Sequence, residues 1–216
     1  MPKKIDMFTY PRKSTYEAFL HHDIPVLSTT CEVDMTSFYQ FRKKHKLRFF
    51  PLFVCIIHQT INELQTMKLR IINEELYEFD TVYPSLTVLL DDNTISFCDL
   101  LHQEDVKAFY EHIIEASDRV KHAPDVQMQE KSGRYFVTNI PWIRFSAFTH
   151  PYLSQYASIP IVTVGKFHET DTKVTLPIAL QVHHSLADGY HLGEFYHRLE
   201  ENLKNAPELL KQFVAS

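Results

Sequence analysis

Hydrophobic and polar positions along this chain follow two periods, and the changes of period mark its elements. Apolar residues recur at helical spacing in the stretch that Pro51 opens, where Phe53, Ile56, Ile57, Ile61 and Leu64 share one face. The same spacing runs from Gly189 through Tyr190, Phe195, Leu199 and Leu203 and predicts a last helix. Asp105–His122 reads as a further one, and Thr36 can cap another over roughly Ser37–His45. Strand-like segments lie near Thr29–Val33, Arg70–Ile72, Leu76–Phe79, Ser85–Leu90, Thr94–Cys98, Tyr135–Phe148, Ile161–Phe167 and Val174–Val182. Asn73-Glu74-Glu75 and Asp91-Asp92-Asn93 supply turns between neighbouring strands. The alternation predicts an α/β fold, a two-layer sandwich with a mixed β-sheet. No Pro/Gly/Ser-rich linker or compositional break divides the 216 residues, so 1–216 reads as a single domain.

Composition narrows the function classes. A formal charge of -5 with no basic cluster argues against nucleic acid as the main partner, and the run Arg42-Lys43-Lys44-His45-Lys46 reads as a solvated helix face and its exit. The first residues lead into no apolar signal core, and the longest apolar run, Phe49 to Ile57, is too short to span a bilayer. The expectation is a cytoplasmic protein with no membrane partner. Glycine occurs only at 133, 165, 189 and 193, positions that build neither a dinucleotide-binding nor a P-loop glycine pattern. Cys31, Cys55 and Cys98 are far apart, lack Cys-x-x-Cys spacing, and read as small buried hydrophobes.

One stretch carries chemistry. In Gln181-Val182-His183-His184-Ser185-Leu186-Ala187-Asp188-Gly189 a histidine pair ends an apolar strand and a turn leads into a helix. A histidine there can reach a substrate and take a proton near neutral pH. His183, its strand neighbour, faces the other side and reads as structural. His184, His191 and His197 are spaced seven and six apart, which does not match the i, i+4 pair of a helix-borne zinc site, and the expectation is no metal. By position alone Asp188 could orient His184 as in a catalytic triad.

The pattern His-His-x-x-x-Asp-Gly resembles the signature of the CoA-dependent acyltransferases, and among them the chloramphenicol acetyltransferases. Further blocks agree in order: Asp34-Met35-Thr36, Phe50-Pro51, Leu69-Arg70, Pro141-Trp142-x-x-Phe145-x-x-Phe148 and Pro160 to Lys166. The resemblance spans essentially the whole chain. It implies an O-acetyltransferase that uses acetyl-CoA as acyl donor, its pantetheine arm in a tunnel, to acetylate chloramphenicol or a related small hydroxyl acceptor. Such enzymes confer antibiotic resistance and assemble as homotrimers with active sites between subunits. The resemblance makes His184 the general base. It makes Asp188 architectural, paired with Arg12, and Thr163 the residue that holds a water near the tetrahedral intermediate.

Two positions depart from that pattern. Phe19 stands where the family carries a tyrosine facing the acceptor. Ala147 stands where it carries a serine whose hydroxyl stabilises the oxyanion, and in a regular strand the adjacent Ser146 points to the opposite face. The alternatives are an acyltransferase of the same fold for a different acceptor, or a catalytically weakened binding or scaffold protein. A dihydrolipoyl acyltransferase core shares the motif class, but its usual lipoyl and linker segments are missing from this sequence.

Overall fold

The computed structural model describes residues 2–101, 103, 105–126 and 131–214. In chain order the elements are β1 (Lys3–Lys4), α1 (Lys13–Leu20), β2 (Val26–Asp34), α2 (Thr36–Lys44), α3 (Phe49–Glu63), β3 (Leu69–Ile72), β4 (Glu75–Glu78), β5 (Tyr83–Leu89), β6 (Ile95–Asp99) and α4 (Val106–His122). They continue with β7 (Arg134–Asn139), β8 (Ile161–Val164), β9 (His168–Glu169), β10 (Val174–His183), α5 (Gly189–Lys204) and α6 (Ala206–Leu209). The larger sheet runs β2-β10-β8-β7-β5-β6, with β9 alongside β10. β7 is parallel to β5 and β8, and the remaining pairs are antiparallel, so the sheet is mixed as expected. A small sheet, β1-β4-β3, contains the hairpin turned by Asn73 and Glu74, both at positive φ.

The period-2 pattern gives this sheet two different faces. Val174, Leu176, Ile178, Leu180 and Val182 of β10 join Val162 and Val164 of β8 in the core beneath the helices. Helix α3 contributes Leu52, Phe53, Ile56, Ile57 and Ile61, each no more than 1% exposed. Each such burial contributes roughly 1.5–3 kcal/mol, which makes α3 the anchor of the helical layer. Helix α3 packs on α4 and α5, while α5 also lies on β2 and α4 on β6. The intervening positions, among them Phe136 and Thr138 of β7, Ile161 of β8 and Gln181 of β10, line a cavity on the other face.

Four expectations need correction. The segment read as a strand over Tyr135–Phe148 is a strand only to Asn139, where β7 leaves the sheet, and residues 140–150 form a turn and irregular chain over the sheet. Gly165 keeps that chain close, since a Cβ there would come within 2.7 Å of both Phe145 and Pro177. Thr36 does not cap α2. Met35 occupies the cap position and Asp34 Oδ1 accepts from the Thr36 amide and hydroxyl, so Thr36 lies inside the helix. Cys31 is exposed rather than buried, because β2 is an edge strand, whereas Cys55 and Cys98 are buried. Asp105, read as the first residue of the helix over Asp105–His122, is instead the N-cap of α4 and accepts from the Ala108 amide. Among the described residues no helix is long and apolar enough to cross a membrane.

Candidate active site

Strand β10 ends at His183, and residues 184–186 form the turn into α5. His184 opens that turn, its amide donating to Pro25 O at 2.7 Å. Its Nδ1 lies 3.2 Å from the Ala187 carbonyl. A carbonyl only accepts, so Nδ1 carries the proton and Nε2 keeps its lone pair, the tautomer that a general base acting through Nε2 requires. Phe19, on α1, stacks on the imidazole with ring centroids 3.8 Å apart and planes 18° apart. The ring is thus held in plane by a hydrogen bond and on one face by an aromatic neighbour.

The turn itself is braced from the N-terminal segment. Arg12, just before α1, donates through Nη1 to the Leu186 carbonyl and through Nη2 to Asp188 Oδ2, the latter at 2.9 Å. Asp188 is the N-cap of α5, accepting from the Tyr190 amide and meeting His191 Nδ1 at 2.8 Å. Partial burial pushes its carboxyl pKa up, but His191, Arg12 and the Tyr190 amide outweigh this and hold it below the usual carboxylate range. Both partners of the pair keep some exposure, 19% for the Arg12 side chain and 34% for Asp188, so it is not the fully buried pair for which a break is most costly. Asp188 therefore faces Arg12 and His191, while His184 finds its Nδ1 partner in Ala187: the triad geometry does not form.

His183 is buried, and its Nδ1 accepts from the Ser185 amide at 3.2 Å. Burial first, and the adjacent His184 second, push its pKa down to about 4, so it is neutral at physiological pH. His191 turns back to Asp188 and His197 reaches Glu201 at 3.3 Å, each occupied within its own helix.

His184, Phe19, Asp188 and Arg12 thus assemble into one cluster. Thr163 and Ala147 lie elsewhere. Thr163 is fully buried in β8, its hydroxyl 2.6 Å from His150 Nε2. His150 stands on the wall of the cavity, whose volume is about 560 Å³. Apolar side chains predominate there, Phe97, Phe136 and Phe148 among them, a size and lining suited to one small organic molecule. His184 is not part of that wall. Ala147 is exposed in the irregular chain after β7, and Ser146 lines a separate depression with Thr30, Glu32 and Arg144. The strand argument that turned Ser146 away does not hold, since no strand exists there, but Ser146 is still not on the wall of the acceptor-sized cavity. Sequence reading missed His150. The signal available was a histidine two residues past the aromatic block, just beyond a stretch wrongly assigned to a strand.

The chloramphenicol acetyltransferase family profile matches residues 2–200. Chloramphenicol acetyltransferase 3 of Escherichia coli is 26% identical over 92% of this chain and 95% of its own length. A chloramphenicol acetyltransferase of Clostridium perfringens is 29% identical over 93% and 94% of the two chains. A solved structure of a chloramphenicol acetyltransferase superposes with a TM-score of 0.81 at 23% identity, over 94% of this chain and all of that one. The matched region contains the large sheet, most of the helical layer and the histidine turn, and by this correspondence over nearly the whole length the chain belongs to the chloramphenicol acetyltransferase family.

Proposed function

We propose that this enzyme, an acyltransferase, moves an acetyl group from acetyl-CoA to a hydroxyl of chloramphenicol or a closely related small alcohol, with His184 as general base. The observation that carries this reading is the tautomer of His184. Its Nδ1 proton is committed to Ala187 O, which leaves Nε2 to take the acceptor's hydroxyl proton as the oxygen attacks the thioester carbonyl. Collapse of the tetrahedral intermediate expels the CoA thiolate, which takes up the proton that His184 holds. Arg12 and Asp188 act on this step by shaping the turn.

The separation of His184 from the apolar cavity within one chain supports a homotrimer in which His184 of one subunit serves the cavity of the next. A single acyltransferase domain over 1–216 and a cytoplasmic location accord with the same reading. Ala147 favours a second reading, transfer to a different acceptor, because no side-chain hydroxyl stands at that position to stabilise an oxyanion. Acetyl-CoA consumption with chloramphenicol and a panel of other alcohols and amines tests both. Turnover that depends on His184 supports transfer, its ranking across the panel assigns the acceptor, and no His184-dependent turnover with any acceptor overturns the enzymatic reading.

A further inference from the structure

Among the described residues that line the largely apolar cavity, His150 is the one imidazole, with two contacts to its ring and a third to its backbone. Thr163 Oγ1 lies 2.6 Å from Nε2, Phe148 meets the ring edge-on with centroids 5.1 Å apart, and the His150 amide donates to Gln181 Oε1 at 3.0 Å. Three other polar groups of the wall are engaged. Thr87 and Thr138 share a hydrogen bond of 3.2 Å, and Gln181 Oε1 also accepts from Ser28. The second ring nitrogen of His150, Nδ1, has no partner among the described residues. A fixed ring with one nitrogen satisfied and one open is a preorganised hydrogen-bonding group at the edge of an aromatic chamber. Whichever tautomer Thr163 selects, Nδ1 is then the complementary donor or acceptor for a ligand. Burial lowers the His150 pKa, so the neutral ring is the form present at physiological pH.

We propose that His150 determines acceptor specificity, by anchoring small aromatic or aliphatic alcohols that carry a second hydrogen-bonding group besides the hydroxyl that is acetylated. This rests on the acetyl-transfer reading and adds to it the residue that selects the substrate class. An alcohol without that second group leaves the imidazole nitrogen desolvated and unpaired, and is discriminated against for that reason. The anchor binds ground state and transition state alike, so its effect belongs in KM.

Steady-state kinetics of the wild type, His150→Leu and His150→Gln test the proposal, with chloramphenicol and with 3-phenyl-1-propanol, an alcohol that has a single polar group. His150→Leu is expected to raise KM for chloramphenicol roughly tenfold, leave kcat within about threefold and leave KM for acetyl-CoA unchanged. For the single-group alcohol KM should stay the same or fall, and His150→Gln should recover part of the chloramphenicol loss. An unchanged chloramphenicol KM in an active His150→Leu enzyme overturns the proposal. So does an equal rise for both alcohols, which marks a collapsed cavity, or a fall in kcat alone, which marks a role in the chemical step. Wild type inactive with every acceptor overturns the transfer reading instead. Calorimetric binding of chloramphenicol then decides for His150: weaker binding to His150→Leu and to His150→Gln supports the anchor, and equal binding overturns it.

Discussion

Phe19 lies flat on His184, centroids 3.8 Å apart, so a residue of α1 sets the plane of an imidazole some 165 positions later in the chain. Such a contact is worth about 0.5–1.5 kcal/mol beyond its buried area. Phe19→Ala is therefore expected to lower kcat by about 3–10-fold while leaving KM for acetyl-CoA little changed. Phe19→Tyr keeps the stacked face and should retain most of the wild-type rate. Acetyl-CoA consumption by the three proteins checks this.

His184→Ala removes the proposed base and is expected to abolish acetyl transfer, a loss of about 10²–10⁴-fold or more. His184 is only partly buried in a surface turn, so the melting temperature should fall by no more than a few degrees. Activity within a few-fold of wild type would sink the assignment.

Asp188→Asn separates charge from capping, because asparagine caps a helix about as well as aspartate. What remains is the loss of the carboxylate from a partly exposed pair, on the order of 1–2 kcal/mol rather than the 3–5 of a buried one. At this chain length that corresponds to a melting temperature lower by roughly 2–8 °C. The rate should fall with it, since Arg12 then holds the turn through Leu186 O alone. An unchanged melting temperature by calorimetry would show that the pair contributes nothing to stability.

The resemblance puts an oxyanion-stabilising serine at the position of the exposed Ala147, and Ala147→Ser tests that assignment by adding the hydroxyl with almost no added bulk. Removing one such donor costs roughly 10²–10³ in rate elsewhere. Wild-type turnover of chloramphenicol is expected to be weak, and the serine should raise kcat by at least several-fold. A wild-type rate already at the level of an efficient relative, or no gain from the serine, would place the oxyanion donor elsewhere in the site.

His183 gives stability a pH dependence of defined sign. Its pKa lies near 4 in the folded protein and near 6.5 when unfolded, so the unfolded chain binds the extra proton between those values. Its contribution is complete above about pH 6.5 and is lost as pH falls toward 4, on the order of 3 kcal/mol over the full range. His183→Gln should flatten the melting temperature against pH in that window, relative to wild type, as read by differential scanning calorimetry.

The elements that local pattern can specify were legible from the residues alone. Apolar spacing placed α3, α4 and α5, and the turns read at Asn73-Glu74-Glu75 and Asp91-Asp92-Asn93 contain Asn73, Glu74 and Asn93 at positive φ. The motif and its order along the chain located His184 and Asp188, because the turn, the helix start and the strand before it are local features, whereas Arg12, 176 positions from Asp188, came only from the family resemblance. Helix α1 and the two-residue strands β1 and β9 escaped notice, being too short to show a period.

Tertiary structure decided what local pattern cannot express. A run rich in β-branched and aromatic residues predicted a strand over 135–148, yet the strand stops at Asn139, and the chain beyond it packs Phe145 closely on Gly165. That departure carries Phe148 and His150 onto the cavity face and sets His150 against Thr163, a pairing between residues 13 apart that no periodicity encodes. Which nitrogen of His184 is free is likewise settled only when the turn brings the Ala187 carbonyl within 3.2 Å of Nδ1. Residue types and their spacing determined the elements and the chemistry available to them. The long-range packing of loop on sheet and α1 on the histidine turn determined which of those groups meet, because contact energies depend on distances that only the folded chain defines.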